Sequence, residues 1–294
     1  MSTATEKQSE HIIHEHNHKA GNYDMDDTYN HENNQSNQDN QSNQECILTV
    51  RDLSKTFSNE SVQQHVLKNL NLSIYKGDYT VIMGNSGSGK STLLYALSGM
   101  DRPTLGSISY HSEEISKYSN DKLAIFRRNH CGFVFQQNYL NDTMSALDNV
   151  MVSGLLVNKD RKALAARAKE LLQKVEIGES DWKKFPTQLS GGQQQRVAVV
   201  RGVINAPEIL FADEPTGALN SQNTANVLDI LTELNREGQS IVMVTHSIDA
   251  ALRGNRVIYL ADGVIRDEMN LGSYEGTNKE RRTRLKAFLQ EMGW

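Results

Sequence analysis

Nine consecutive residues, Gly84-Asn85-Ser86-Gly87-Ser88-Gly89-Lys90-Ser91-Thr92, have the types and spacing needed to capture a phosphate. Glycines let the backbone curl so that successive N–H groups face an anion, at the start of a helix whose dipole favours negative charge. Lys90 adds a point charge, and the Ser91 hydroxyl is placed to ligate magnesium. Further on, the apolar run Ile209-Leu210-Phe211-Ala212 ends in Asp213-Glu214. Asp213 is suited to holding the metal through water, while Glu214, one residue on, points elsewhere and can polarise an attacking water. Alone, an apolar strand ending in two carboxylates is common; together with the glycine-rich loop it indicates metal-assisted phosphoryl chemistry.

Such residues must be held by strands and helices. Ile47–Leu53 reads as a strand, and Leu70, Leu72 and Ile74 alternate as a half-buried strand should. Thr80–Met83 is a short apolar run that leads into the glycine-rich loop. From Ser91 the pattern turns helical, with Leu93, Leu94 and Leu97 on one face. Ala163–Val175 is a second amphipathic helix, carrying Leu164, Ala168, Leu171, Leu172 and Val175 at helical spacing. Ile209–Ala212 and Ile241–Val244 are buried strands, and Arg256–Leu260 leads to a turn at Asp262-Gly263. Strands alternating with helices predict an α/β fold with a largely parallel sheet.

Composition bounds the rest. The chain has 294 residues, a net charge of −5 and no reason to expect a nucleic-acid partner. Two cysteines, Cys46 and Cys131, are too few for a disulfide framework, fit a reducing compartment and read as ordinary strand or loop residues. No apolar run approaches the roughly 20 residues of a membrane helix, and no apolar leader follows Met1, so a cytoplasmic protein is expected. Residues 1–45 are polar, with an Asn/Gln/Ser tract at Asn33–Gln44, and are expected to be disordered. The tail also holds His11, His14, His16, His18 and His31, a solvated tract in one reading and a loose zinc- or nickel-binding tract in its rival, without the fixed geometry of a structural zinc site. Glu280–Trp294 is expected to form a helix whose stripe of Leu285, Phe288, Leu289 and Met292 packs on its own domain. Arg281, Arg282 and Arg284 offer a rival reading, attraction to an anionic membrane surface.

A third motif, Leu189-Ser190-Gly191-Gly192-Gln193 followed by Gln194-Gln195-Arg196, resembles the signature sequence of the ABC ATPase superfamily. It looks like a second anion-binding helix start. The resemblance covers roughly Ile47–Asp267 and implies the ABC-type P-loop nucleotide-binding domain, with a mostly parallel core sheet, an antiparallel β subdomain and a helical subdomain over about residues 138–200. The domain would span 46–270 and a C-terminal helical extension 271–294. It further implies ATP and Mg2+, with Ser190, Gly191, Gly192 and Gln193 closing over ATP held by a second ATPase subunit in a head-to-tail dimer. Gln136, in Phe133-Val134-Phe135-Gln136-Gln137, matches the family's Q-loop glutamine, which reaches magnesium and water beside the permease contact. His246, in Val244-Thr245-His246, matches the switch histidine at the γ-phosphate, and Phe57 the aromatic that stacks on adenine, with Tyr79 a nearby rival. Catalysis is thus expected from Glu214, His246 and Gln136, and metal binding from Ser91, Gln136 and Asp213.

One position departs from the pattern. Gly217-Ala218-Leu219-Asn220 occupies the D-loop, where the superfamily usually ends in Asp; Asn keeps the hydrogen-bonding oxygen and loses the charge. Gly99–Thr104, Gly132–Gln137 and Ala212–Leu219 look like the macrolide-exporter, lipoprotein-release, cell-division and antimicrobial-peptide-resistance branch. Asn220 and the C-terminal helix look most like the peptide-resistance or bacteriocin-export subset. The resemblance implies an energy-coupling subunit on a separate membrane permease, most plausibly for a peptide-like or amphipathic compound. Alternatives are the same ATPase on a permease-like signalling or wall-control complex, or a non-transport ABC ATPase. The single cassette, without a heptad insertion, argues against the latter.

Overall fold

The computed structural model describes residues 44–59, 62–276 and 278–294. The polar tail and its histidines therefore fall, up to residue 43, outside the described residues.

Two sheets carry the fold. β1 (Cys46–Asn59), β2 (Val62–Tyr75), β4 (Leu105–Tyr110) and β5 (Glu113–Glu114) form an antiparallel sheet in the order β2-β1-β4-β5. β3 (Tyr79–Met83), β6 (Cys131–Phe135), β7 (Ile209–Asp213), β8 (Ser240–Val244), β9 (Arg256–Ala261) and β10 (Val264–Asn270) form the second, ordered β10-β9-β3-β8-β7-β6. Its first five strands by sequence are parallel; β10 returns antiparallel through the Asp262-Gly263 turn. Positive φ at both turn residues, 53° and 78°, is the twist a two-residue hairpin demands. β3, β7 and β8 are buried along their whole length, which is why they read as apolar runs rather than alternations.

One face of this sheet packs on α1 (Lys90–Leu97), through Leu93, Leu94 and Leu97, and on the antiparallel sheet. The other carries α5 (Gly191–Val203), α6 (Ser221–Arg236), the short α7 (Ile248–Ala251) and α8 (Lys279–Glu291). α2 (Asn120–His130) precedes β6. A separate apolar cluster joins α3 (Ala146–Gly154), α4 (Arg161–Lys174) and the opposite side of α5, with Leu164, Leu172, Trp182 and Val197 buried in it.

Several expectations shift. β1 continues six residues beyond Leu53, because bulges after Val50, Leu53 and Lys55, with Asp52 at φ 51°, absorb the break in alternation. β2 begins eight residues before Leu70, with Val62 opposite Asn59 and His65 opposite Thr56. Both cysteines open strands, Cys46 in β1 and Cys131 in β6, and burial pushes the Cys131 thiol up. α8 packs on its own domain: Leu285, Phe288 and Leu289 are buried in the same cluster as β3 and β8. Its arginines each find partners within the domain. Arg281 is buried and donates to the carbonyls of Leu252, Gly254, Leu271, Gly272 and Ser273. Arg282 pairs with Asp249 at 2.5 Å, and Arg284 donates to the Asn270 carbonyl.

Candidate nucleotide site

The glycine-rich loop leaves the end of β3 and becomes α1. Gly84 must be glycine, since a Cβ there would collide with the Leu260 carbonyl oxygen. Gly89 caps α1 at φ 101°, and a Cβ on it would press on Leu67 and the Val66 carbonyl of β2. Lys90 is buried, and its Nζ donates to the Gly84 carbonyl at 2.9 Å and the Asn85 carbonyl at 2.8 Å. The ammonium thus closes the loop on itself. Burial pulls its pKa down, opposed by the carboxylates of Glu214 and Asp213. Ser88 Oγ is buried and finds no hydrogen-bond partner among the described residues. A curled backbone, a buried cation and an unspent hydroxyl fit a polyphosphate.

Asp213, the last residue of β7, is nearly buried. Its Oδ1 accepts from Ser91 Oγ at 2.9 Å and its Oδ2 from the Tyr95 hydroxyl at 2.8 Å. The two metal candidates on the loop and strand are therefore in direct contact. Burial, then the bond to Asp213, pushes the Tyr95 phenol up to about 12, so it stays a donor.

Glu214 turns the other way. It sits at φ 47°, a left-handed conformation uncommon for a non-glycine residue, held by its N–H on the Val244 carbonyl at 2.9 Å. Oε1 lies 2.8 Å from His246 Nδ1, and Oε2 accepts from Thr245 Oγ1 at 3.4 Å. An ionised Glu214 only accepts, so Nδ1 carries the proton and Nε2 is left free. The carboxylate is tethered at both oxygens by the two residues that follow β8, yet the histidine remains exposed.

Gln136 follows β6 and lies against the loop after Glu214: a Cβ on Gly217 would come 2.9 Å from its Nε2. Among the described residues it makes no hydrogen bond to Ser91 or Asp213, so the metal candidates are two in contact and one apart. Phe57 is 46% exposed, with Lys55 Nζ 4.8 Å from its ring centroid. It pairs with Gln64 of β2, two residues from Val66, which touches Gly89. Its rival Tyr79 is fully buried, its hydroxyl on Met243 Sδ, and cannot stack on a base.

Ser190–Gln193 forms a different helix start. Ser190 caps α5, its Oγ accepting from the Gln193 N–H at 3.2 Å, while Gln193 Oε1 accepts from the Ser190 N–H at 2.9 Å. Gln193 Nε2 also reaches Asp181 at 3.2 Å. No hydrogen bond among the described residues joins this loop to Gly84–Thr92. Asn220 caps α6, accepting from the Asn223 N–H at 3.0 Å, and the Asn223 side chain occupies the space a Cβ on Gly192 would need.

Sequence reading passed over Tyr95, Thr245 and Gln195. Tyr95 was recoverable, since it lies four residues after Ser91 on the same helix face. Gln195 stands within the signature stretch, and nothing in its spacing announces its distant partners.

Comparison with known proteins follows the same lines. The sequence profile of the ABC transporter family matches residues 67–217. A macrolide export ATP-binding/permease protein, MacB, of Aggregatibacter actinomycetemcomitans is 42% identical over 219 residues, covering 74% of this chain and 34% of the relative. This chain thus spans about a third of the MacB relatives it matches. An ABC transporter ATP-binding protein of Methanocaldococcus jannaschii is 42% identical over 224 residues, covering 76% of this chain and all of the relative. Among solved structures, the ATP-binding cassette MJ0796, a post-hydrolysis dimer bound to ADP and Pi, superposes with a TM-score of 0.71 at 37% identity over 78% of this chain and 100% of the other.

Proposed function

Since this chain belongs to the ABC transporter family and is an ATPase of its cassette type, we propose that it closes as a homodimer around two ATP molecules and drives a separate membrane permease. The observation that carries this is the division of the site. Lys90, Ser91, Asp213, Glu214 and His246 converge in one place, whereas Ser190–Gln193 stands on another helix with no bond to them. A second chain, head to tail, would bring that loop to the nucleotide.

In this reading Gly84–Thr92 cradle the phosphates, Lys90 leaves its two carbonyls for them, and Phe57 takes the adenine. Ser91, Asp213 and, after a swing of its side chain, Gln136 would hold Mg2+, which supplies neutralising charge at the phosphates. Glu214 accepts a proton from the attacking water. His246, whose Nε2 faces outward, contacts the terminal phosphate and steadies that carboxylate through Nδ1. The left-handed backbone at Glu214 keeps its carboxylate away from Asp213, so the two adjacent acids serve different atoms.

No helix among the described residues is long and apolar enough to cross a membrane, and the permease reading rests on family membership and on one surface. A cleft beside Gln136 is lined by Phe135, Tyr139, Val152 and Leu156, with Arg127 and Arg128 at its edge. Tyr139, Val152 and Leu156 are exposed apolar side chains of the kind a cytoplasmic helix of a permease would cover. The ATPase would thus work at the inner face of the cell membrane. Its cargo would be a peptide-like or amphipathic compound, in keeping with the branch to which MacB belongs. The test is co-purification with the membrane protein encoded beside it and measurement of ATPase stimulation by candidate compounds. Failure to bind that protein, and monomeric behaviour with a non-hydrolysable ATP analogue, would reject the permease and dimer halves in turn.

A further inference from the structure

Gln195 is 2% exposed and lies in α5, five residues after Ser190. Its one side-chain nitrogen donates both hydrogens at 2.8 Å, to the carbonyls of Phe135 and Pro215. Phe135 immediately precedes Gln136, and Pro215 immediately follows Glu214. β6 and β7 are neighbours with Phe135 opposite Asp213, the last residue of each. The amide therefore bridges the two strand ends just where their ladder stops. Among uncharged side chains a carboxamide is what carries two hydrogens on one nitrogen, so both carbonyls are met here without burying a charge.

Its helix grips the other side of the same loop as well. Gln194 Oε1 accepts from Asn138 Nδ2 at 2.8 Å, and Arg201 donates to the carbonyls of Asn138 and Tyr139, both at 2.6 Å. Gln136 and Gln137 are left between clamps that all belong to α5. A buried glutamine could do no more than satisfy stray carbonyls. These carbonyls, however, flank the two residues whose separation hydrolysis depends on, and the clamp sits on the helix that begins with Ser190–Gln193.

We propose that Gln195 is a positioning residue: it fixes Gln136 relative to Glu214 and passes movements of the Ser190–Gln193 helix to both. The inference rests on the reading of Glu214 and Gln136 as hydrolytic residues. Signature-loop engagement by a partner's nucleotide would then reach the carboxylate through one amide, without a contact between the two loops.

The experiment compares Gln195→Glu and Gln195→Met in the full chain. Equilibrium titration with MgATP should change by no more than about threefold, since neither carbonyl is part of the phosphate cradle. The kcat should fall by about ten- to a hundredfold, the cost of misplacing groups by an ångström or less. As pH is lowered, Gln195→Glu should recover part of its kcat, because a protonated carboxyl regains one donor, while Gln195→Met should not. The proposal is overturned if both variants keep kcat within about twofold of wild type, or if kcat, affinity and melting temperature fall together as for a purely structural side chain. Glu214→Gln runs alongside. If that variant hydrolyses ATP normally, the site reading fails; if it is inactive while both Gln195 variants turn over normally, only the present inference fails.

Discussion

At Gly84–Lys90 the chain wraps around its own lysine, and at Ser190–Gln193 it ends in a cap that leaves one face open. Both are glycine-rich helix starts, able to present N–H groups to an anion. In the first, each glycine answers to the chain itself: Gly84 to the Leu260 carbonyl, Gly89 to its φ of 101° and to Leu67, and Gly87, with nothing within 4 Å of a Cβ, to its φ of 78° alone. In the second, Gly192 answers to Asn223, but a Cβ on Gly191 would meet nothing within 4 Å. The first loop is thus shaped by contacts and backbone conformation within one chain, while the second keeps open space at Gly191, where the proposed dimer would place the partner's nucleotide. A loop built for a ligand held by another molecule has that character.

The largest test of the contrast is at the chemistry both loops serve. Glu214→Gln should bind ATP but lose roughly a hundredfold to ten-thousandfold in turnover, the usual worth of a general base. Size-exclusion chromatography with ATP should then show an accumulated dimer, and near-normal phosphate release would remove Glu214 from its role. Lys90→Ala comes next. Losing a charged hydrogen-bonding group should weaken nucleotide binding by about ten- to a hundredfold. Unchanged affinity by equilibrium titration would break the self-contained half of the comparison.

The glycines separate the two loops directly. Gly89→Ala forces a left-handed alanine against Leu67 and should destabilise the fold by about 2 kcal/mol or more. Gly191→Ala should leave stability within about 0.5 kcal/mol, as an open surface position does, yet impair ATP-driven dimerisation. Denaturant melts and sedimentation in ATP would read both, and equal destabilisation by the two substitutions would erase the distinction drawn here. Tyr95→Phe is milder. It removes one of two hydroxyls on Asp213 and should raise the magnesium concentration for half-maximal hydrolysis by about three- to tenfold.

What could be read from the sequence follows from how local its causes are. β3, β7 and β8 announce themselves because both faces are buried, and the P-loop because its glycines and lysine act within nine residues. The α8 stripe was legible too, and so in principle was Arg281. It stands four residues before Leu285 and seven before Phe288, on the buried face, but an arginine is read as surface until carbonyls are found for it. β1 exceeded its reading because bulges break the alternation that defines a strand. The capping box at Ser190–Gln193 stayed hidden because the same residues were accounted for by phosphate binding. Gln195 was invisible for a different reason: its partners lie 60 and 20 residues away, set by topology alone.

The smallest expected effect lies at Asn220, beside the signature loop. In this chain Asn220 is a helix cap, its Oδ1 on the Asn223 N–H, and Asn223 in turn fills the space beside Gly192. Asn and Asp cap helices almost equally, and a charge near the start of α6 adds at most about 0.3–1 kcal/mol. Asn220→Asp should therefore leave the melting temperature nearly unchanged or slightly raised. If the D-loop matters only for holding α6 and the signature loop in place, ATP cooperativity should also stay put, within about twofold. If the missing charge instead tunes communication between two nucleotides, the Hill coefficient should move while stability does not. Movement of neither would show that Asn220 serves the local fold as a cap, and that the signature loop, unlike the P-loop, is supported from the side rather than from within.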